Sequence, residues 1–254
     1  MLSVSTQLAR EDSLLAFERL LRSITFADEI IIYNMERSDP EFFALARRFK
    51  ARVIKIKTPL IVEFIRARQI KEAQYDWVLI LDSDEVVTTK LRYEISNLTS
   101  LKPKTYALKR KNFSLGYSMS HGGFGDDFVP RLFHKSLFLD WPRDIHSLPL
   151  VKGTISQTTS YLEHHKDESL EQMVEKTNRY SAVESKQFYD GGLRVTSPFT
   201  IIRKWWMETF RRGILKMGLL DGKIGIIQSI YQGFSVFTSY AKLYEMNIKI
   251  PESY

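Results

Sequence analysis

The chain contains no cysteine in its 254 residues. Disulfides, thiolate zinc sites and thiol catalysis are therefore excluded. It also lacks a long apolar run. Its longest uncharged stretch, Ile224 to Ala241, is broken by Gln228, Ser229, Gln232, Ser235, Thr238 and Ser239, a composition that argues against a membrane-spanning helix. No basic-then-apolar leader precedes the strand-like LSVST that follows Met1, so a cytoplasmic location is expected. There is no internal repeat, no low-complexity tract and no Ser/Gly linker. Nor is a phosphate-cradling glycine motif or a Ser-His-Asp arrangement readable.

What is present is ordinary globular material, 44% hydrophobic and 26% charged, enough for one large domain or a domain with an appendage. The formal net charge is +7. Such basicity favours anionic partners, whether nucleotides, phosphates, nucleic acid or acidic lipid, without choosing among them. No nucleic-acid-binding motif is found, so no nucleic-acid partner is expected.

The first half alternates between two periods. Leu14, Phe17, Leu21 and Ile24 recur at helical spacing behind a cap at Asp12 and Ser13. EIIIYN (29–34) and RVIKIK (52–57) read as strands. Between them Ser38-Asp39-Pro40 opens a helix with proline at its first position. Residues 61 to 75 read as helical, Trp77 to Leu81 as a buried strand, and Leu91, Ile95 and Leu98 as a further helix. Strands alternating with helices predict an α/β layer with a mostly parallel sheet. The turn-prone residues gather between 103 and 160, around short strands such as YALKRKNF and RLFHKS. Residues 169 to 190 read as a helix, and two more follow Pro198.

The buried strand WVLIL ends in the acidic cluster Asp82, Asp84 and Glu85. Three carboxylates so close repel unless water, a cation or a donor-rich ligand relieves them. In extended chain Asp82 and Asp84 point to the same side, where they can share a hard divalent cation or divide the work between a metal and a sugar hydroxyl. In open parallel sheets ligands bind outside the carboxyl ends of the strands, and this cluster lies at one. The alternative is a turn that caps the next helix.

Several stretches together resemble the family 2 glycosyltransferases, inverting enzymes of the GT-A (Rossmann-like) fold, in the branch that builds lipopolysaccharide core and other envelope glycans. These are ADEIIIYNMERSD (27–39), ARQIKEAQYDWVLILDSDE (67–85), GGFGDDFVPRLFHK (122–135), IHS (145–147) and LEHHKDESLEQMVEKTNRYS (162–181). The resemblance implies a GT-A catalytic domain over 1–195 and a C-terminal amphipathic helical region over 196–254. It implies Mg2+ or Mn2+ as cofactor, a UDP-sugar donor, and a glycan or lipid-linked acceptor. It implies that Asp84 holds the metal, with Asp82 near it or the donor ribose and His164 near the metal and diphosphate. Asn34, Asp39 and Arg68 fall where the family binds donor, and Arg131 where it holds the loop or phosphates. His146 falls in the acceptor-side Val-His-Glu segment, and Asp127, with Asp126 beside it, where a general base stands. Asn34, Gln69 and Ser147 replace the family's usual Asp, Asn and Glu. These departures keep open a catalytically degenerate nucleotide- or glycan-binding relative; a basic nucleic-acid-binding protein is the remaining alternative.

Phe199, Ile202, Trp206, Phe210, Ile214 and Met217 form one helical stripe, with Lys204, Arg211, Arg212 and Lys216 off it. A second stripe runs through Ile227, Ile230, Phe234, Phe237, Ala241 and Tyr244. Such stripes either pack on the protein or meet an anionic membrane surface through 199–217, on the inner face of the plasma membrane.

Overall fold

A computed structural model of the chain describes residues 1–125, 127–143, 147–167, 169–195 and 197–249. It forms two compact units: Met1–Lys111 with Asp126–His165, and Asn112–Gly125 with Lys166–Tyr254. The expected boundary at 195/196 falls inside the second unit.

The first unit begins β1 (Leu2–Ala9), α1 (Leu14–Ser23), β2 (Glu29–Met35), α2 (Pro40–Arg48), β3 (Arg52–Ile56), α3 (Glu63–Lys71) and β4 (Trp77–Leu81). It continues with β5 (Glu85–Val87), α4 (Thr89–Leu98) and β6 (Thr105–Ser114), which runs on into the second unit. There it meets β7 (Tyr117–Ser118). The chain returns as β8 (Asp127–His134), β9 (Phe138–Asp140), β10 (Leu150–Val151) and β11 (Ile155–Asp167). The main sheet runs β3-β2-β1-β4-β8-β6-β11-β5. Its first four strands are parallel. β8 joins β4 antiparallel, β6 joins β8 antiparallel, and β5 joins β11 antiparallel. The α/β expectation holds, with an antiparallel extension supplied by the turn-rich middle of the chain.

Two apolar clusters cover the two faces of the parallel strands, which is why those strands read as near-continuous apolar runs. Side chains alternate along a strand: Trp77, Leu79 and Leu81 join one cluster, with Phe17, Leu20, Phe42 and Leu91 of the helices. Val78 and Ile80 join the other, with Ile65 and Ile70 of α3. Ser13, Asp39 and Thr88 cap α1, α2 and α4 by accepting from Ala16, Phe42 and Leu91 backbone N–H groups. Helix α3 is shorter than expected, and its starting residue Val62 makes no side-chain cap.

The second unit holds α5 (Leu170–Asp190), α6 (Pro198–Phe210), a π-helical turn over Arg211–Leu215, a 3-10 turn over Gly218–Asp221 and α7 (Gly222–Lys249). Its small core joins Val195, Ile201 and Leu243 with Phe188 and Tyr240. Helices α6 and α7 approach closely at Gly233. A Cβ there would strike Thr209 Oγ1 and come within 2.9 Å of Trp205 Cδ1. Gly233→Val should therefore lower stability by about 1–3 kcal/mol, read as an earlier urea midpoint of the second unit's fluorescence, to which Trp205 contributes. An unchanged midpoint would contradict this close approach.

Candidate active site

At the carboxyl end of β4 the chain turns, closed by Glu85 N–H donating to Asp82 O at 3.1 Å. This turn corrects the extended reading of 82–84: Asp82 and Asp84 do not share one ligand. Asp82 accepts from Gln7 Nε2 at 2.6 Å, from Arg66 and from Arg131. Glu85 is fully buried; its Oε1 accepts from Arg131 Nη2 at 2.8 Å and faces Arg110 Nη1 at 3.5 Å. Its Oε2 accepts from the Asp82 backbone N–H at 2.9 Å. Arg110 in turn donates to Asp127 Oδ2, from Nε at 2.8 Å and from Nη2. The result is a row of alternating charge: Arg66, Asp82, Arg131, Glu85, Arg110, Asp127.

Strand register builds this row. Arg110 and Asp127 face each other directly across β6 and β8. Arg131 lies one step beyond Leu132, the partner of Leu79 on β4. Burial alone would raise the Asp82 pKa, but Arg131, Arg66 and the Gln7 hydrogen bond outweigh it and hold this carboxyl well below its ordinary value. Burial likewise opposes the Arg131 charge, yet Asp82 and Glu85 push its pKa up.

Asp84 stands outside the row. Residue His164 pairs with Glu85 in the β5–β11 register, which brings its Nε2 to 3.6 Å from Asp84 Oδ1. Of the expected metal set of Asp84, Asp82 and His164, the structure brings Asp84 and His164 together, while the Asp82 oxygens accept from two arginines and a glutamine. Among the described residues no three His, Asp or Glu side chains converge on a metal position. The pair Asp84 and His164 does fit a cation that takes its other ligands from phosphate and water.

The expected donor residues are placed unevenly. Asn34 is buried and spends its amide on the loop after β2: Nδ2 donates to Arg37 O at 3.0 Å and Oδ1 accepts from Arg37 N at 2.8 Å. It lines an open cleft of about 390 Å³ at the ends of β2 and β3, with Glu36, Arg37, Lys55 and Lys57. Asp39 caps α2 and accepts from Arg37 Nε at 2.8 Å. Arg68 does not reach the row: it donates to Glu72 at 2.6 Å and lies over the Tyr33 ring. Asp126 and His146 lie outside the described residues. Ser147 Oγ donates to Pro142 O at 2.6 Å.

Four members of the site escaped sequence reasoning: Gln7, Arg66, Glu85 as an ion-pair acceptor, and Arg110. A signal existed for two of them. Gln7 is a long amide in an otherwise buried strand, and Arg66 and Gln69 lie three apart on α3, on one helical face. Gln69 Nε2 donates to Gln7 Oε1 at 2.9 Å, and Arg66 Nη1 donates to Gln69 Oε1 at 3.2 Å.

No family model matches the chain. It is 25% identical to an uncharacterized glycosyltransferase of Rickettsia conorii, over 91% of this chain and 86% of that protein. It is 23% identical to an uncharacterized glycosyltransferase of Rickettsia typhi, over 98% of this chain and 89% of that one. Among solved structures, S. aureus TarS 1–349 in complex with UDP aligns over 98% of this chain and 91% of its own, at 12% identity and a TM-score of 0.45.

The depressed Asp82 pKa carries a pH signature. A carboxyl held below its unfolded value of about 3.9 adds stability that is complete above that pH. The contribution is lost as pH falls from about 4 toward the folded value. Urea midpoints measured from pH 6 down to pH 2 should fall steeply below pH 4 in the wild type and less steeply in Asp82→Asn. Parallel acid limbs would show that the arginines do not act on Asp82 as described.

Proposed function

We propose that this chain, a glycosyltransferase by its likeness to those relatives, moves a sugar from a nucleoside-diphosphate donor, UDP-linked, to an envelope glycan or lipid-linked acceptor. The reaction inverts the anomeric carbon. Work at the inner face of the plasma membrane belongs to the same reading. The observation that carries it is the pairing of Asp84 with His164 at the carboxyl end of β4, in the same sheet edge as a cleft lined by Arg37, Lys55 and Lys57.

Two chemical demands assign the residues. The departing diphosphate gains negative charge, and the acceptor hydroxyl must lose a proton as its oxygen bonds to the anomeric carbon and the carbon–diphosphate bond breaks. Asp84 and His164 would hold Mg2+ or Mn2+, which when bound supplies positive charge against the diphosphate. Lys55, Lys57 and Arg37 outnumber Glu36 in the cleft and give the nucleotide a net positive lining. Asp127 takes the acceptor proton, and Arg110 fixes it in place by donating twice to Oδ2. Asp82 does not touch the donor; with Glu85 it anchors the turn that presents Asp84.

One observation favours a second reading, a relative that binds nucleotide without turnover. Ser147 stands where the resembled family has glutamate, and its hydroxyl is spent on Pro142 O.

A panel of nucleotide sugars with Mg2+ or Mn2+, followed by release of nucleoside diphosphate, separates the two. Turnover with at least one donor is expected, and Asp84→Asn should reduce it by about 100-fold or more without moving the thermal midpoint. Undiminished turnover in this variant, or in excess chelator, would remove the metal from the reading. Nucleotide binding by calorimetry with no release across the panel would establish the non-catalytic one. Asp127→Asn should lower kcat by roughly 100-fold or more with little change in KM for the donor. An unaltered kcat would assign the proton transfer elsewhere.

A further inference from the structure

Helices α6 and α7 are built largely inside out. Apart from Leu243, which joins the small core, the buried positions of α7 are small or polar: Gly225, Gln228, Ser229, Gly233 and Ser239. Its exposed positions are Ile226, Ile227, Ile230, Phe234 and Phe237. In α6 Ile201 is buried, with Glu208 and Thr209 half-buried further along, while the whole expected stripe points out, with Phe199 81% and Trp206 62% exposed. The turn that joins the two helices adds Leu215, Leu219 and Leu220 to the exposed set. The reading in which the 199–217 stripe packs on the protein is thus corrected: the stripe faces outward.

In water the hydrophobic effect drives the opposite arrangement. Small residues and hydrogen bonds between helices, with apolar side chains outside, suit a surrounding of acyl chains, where apolar burial between helices gains nothing. Ser239 Oγ donating to Glu184 Oε2 of α5 at 2.5 Å is a contact of that kind, and Gln228 Nε2 likewise donates to Ser114 Oγ at the end of β6. No helix among the described residues is long and apolar enough to cross a membrane, so these helices would lie at an interface rather than span.

Charge identifies the lipid. Between Ser197 and Leu243 the only acidic residues are Glu208 and Asp221, and both are withdrawn from the surface. Glu208 accepts from Arg211 and Arg212, the nearest contacts at 2.6 and 2.8 Å. Asp221 accepts from the backbone N–H groups of Ser120 and His121 at 3.1 and 2.8 Å. Arg203, Lys216 and Lys223 are exposed beside the apolar side chains. From Ser197 to Leu243 the outward surface therefore presents apolar groups and cations without an exposed carboxylate; Glu245, near the end of α7, is the first exposed acid after it.

We propose that α6, the turn after it and α7 form a surface that docks in the headgroup region of an anionic phospholipid bilayer, with Phe199, Trp206 and Phe210 entering the acyl boundary and Arg203, Lys216 and Lys223 meeting phosphate groups. The proposal does not depend on sugar transfer: a chain that binds bilayers and never turns over a donor would still satisfy it.

The full chain is tested by flotation with vesicles of phosphatidylcholine alone and of phosphatidylcholine with a quarter phosphatidylglycerol, at low and high salt. Binding to the anionic vesicles is expected to exceed binding to the neutral ones roughly tenfold, and to weaken in high salt as surface charges are screened. Trp206→Ser with Phe210→Ser should lower anionic-vesicle binding roughly tenfold or more. Arg203→Glu with Lys216→Glu should abolish the preference for anionic lipid. Far-UV circular dichroism and nucleotide release are expected to be unchanged in both variants. Wild-type protein left unbound by anionic vesicles would overturn the proposal. So would full binding by either variant, or self-association that buries Trp206 and withdraws the chain from lipid, seen by sedimentation and fluorescence.

Discussion

The alternating row Arg66, Asp82, Arg131, Glu85, Arg110 and Asp127 is the constraint on which the site depends. A lone buried carboxylate costs several kcal/mol, and removing one partner of a buried pair costs about 3–5 kcal/mol because the other charge is stranded. Here each interior member touches a neighbour of opposite sign on either side, so the row balances three cations against three anions. It also ties α3, the turn after β4, β8 and β6 together through side chains alone. Its geometry fixes both ends of the 82–85 turn. With Asp82 and Glu85 held, Asp84 has its direction set by the turn, and the β5–β11 register delivers His164 to it.

This division of roles lets one member of a D-x-D pair be an anchor while the other faces His164, with which it forms the pair proposed above to hold a cation. Had the segment stayed extended, both carboxylates would face one side and repel at close range. The turn hydrogen bond separates them: Asp82 goes inward to guanidinium groups, Asp84 to the imidazole. The acid held between two arginines is the one whose proton affinity is pushed down, which keeps it an anion and keeps the arginines paired. A carboxylate so committed serves poorly as a metal ligand, since each bond to a cation would have to replace a charge-assisted hydrogen bond.

Local signals carried most of the fold and little of the site. Short apolar runs marked β2 to β4, and Ser13 and Asp39 marked helix starts, because both effects act within a few residues. The partners of Asp82 lie 16, 49 and 75 residues away, and no local pattern chooses among the many arginines of a basic chain. The donor position was expected at Arg68, yet Arg68 turns to Glu72, four residues on, while Arg66 takes the inward face of α3. A two-residue displacement on a helix is about 200°, enough to exchange inside for outside. The α6 stripe shows the same limit in another form. Periodicity reveals that a helix has two unlike faces, but not which of them meets the protein.

The excess positive charge of the chain then finds a consistent explanation. The buried row is neutral, so it contributes nothing to the net +7. Exposed cations stand where anions would approach from outside: Lys55 and Lys57, beside Glu36, on the cleft of the first unit, and Arg203, Lys216 and Lys223 on the outward helices of the second. Charges used to hold the fold must be paired, because an unpaired buried charge is costly. Charges used to attract a ligand must be left open to solvent, where being unpaired costs little and screening limits their reach to about 8–10 Å at physiological salt. Composition reports only the sum of the two populations. Their separation into a balanced interior and an unbalanced surface is what the proposed phosphate cleft of one unit and the proposed lipid-facing helices of the other both draw on.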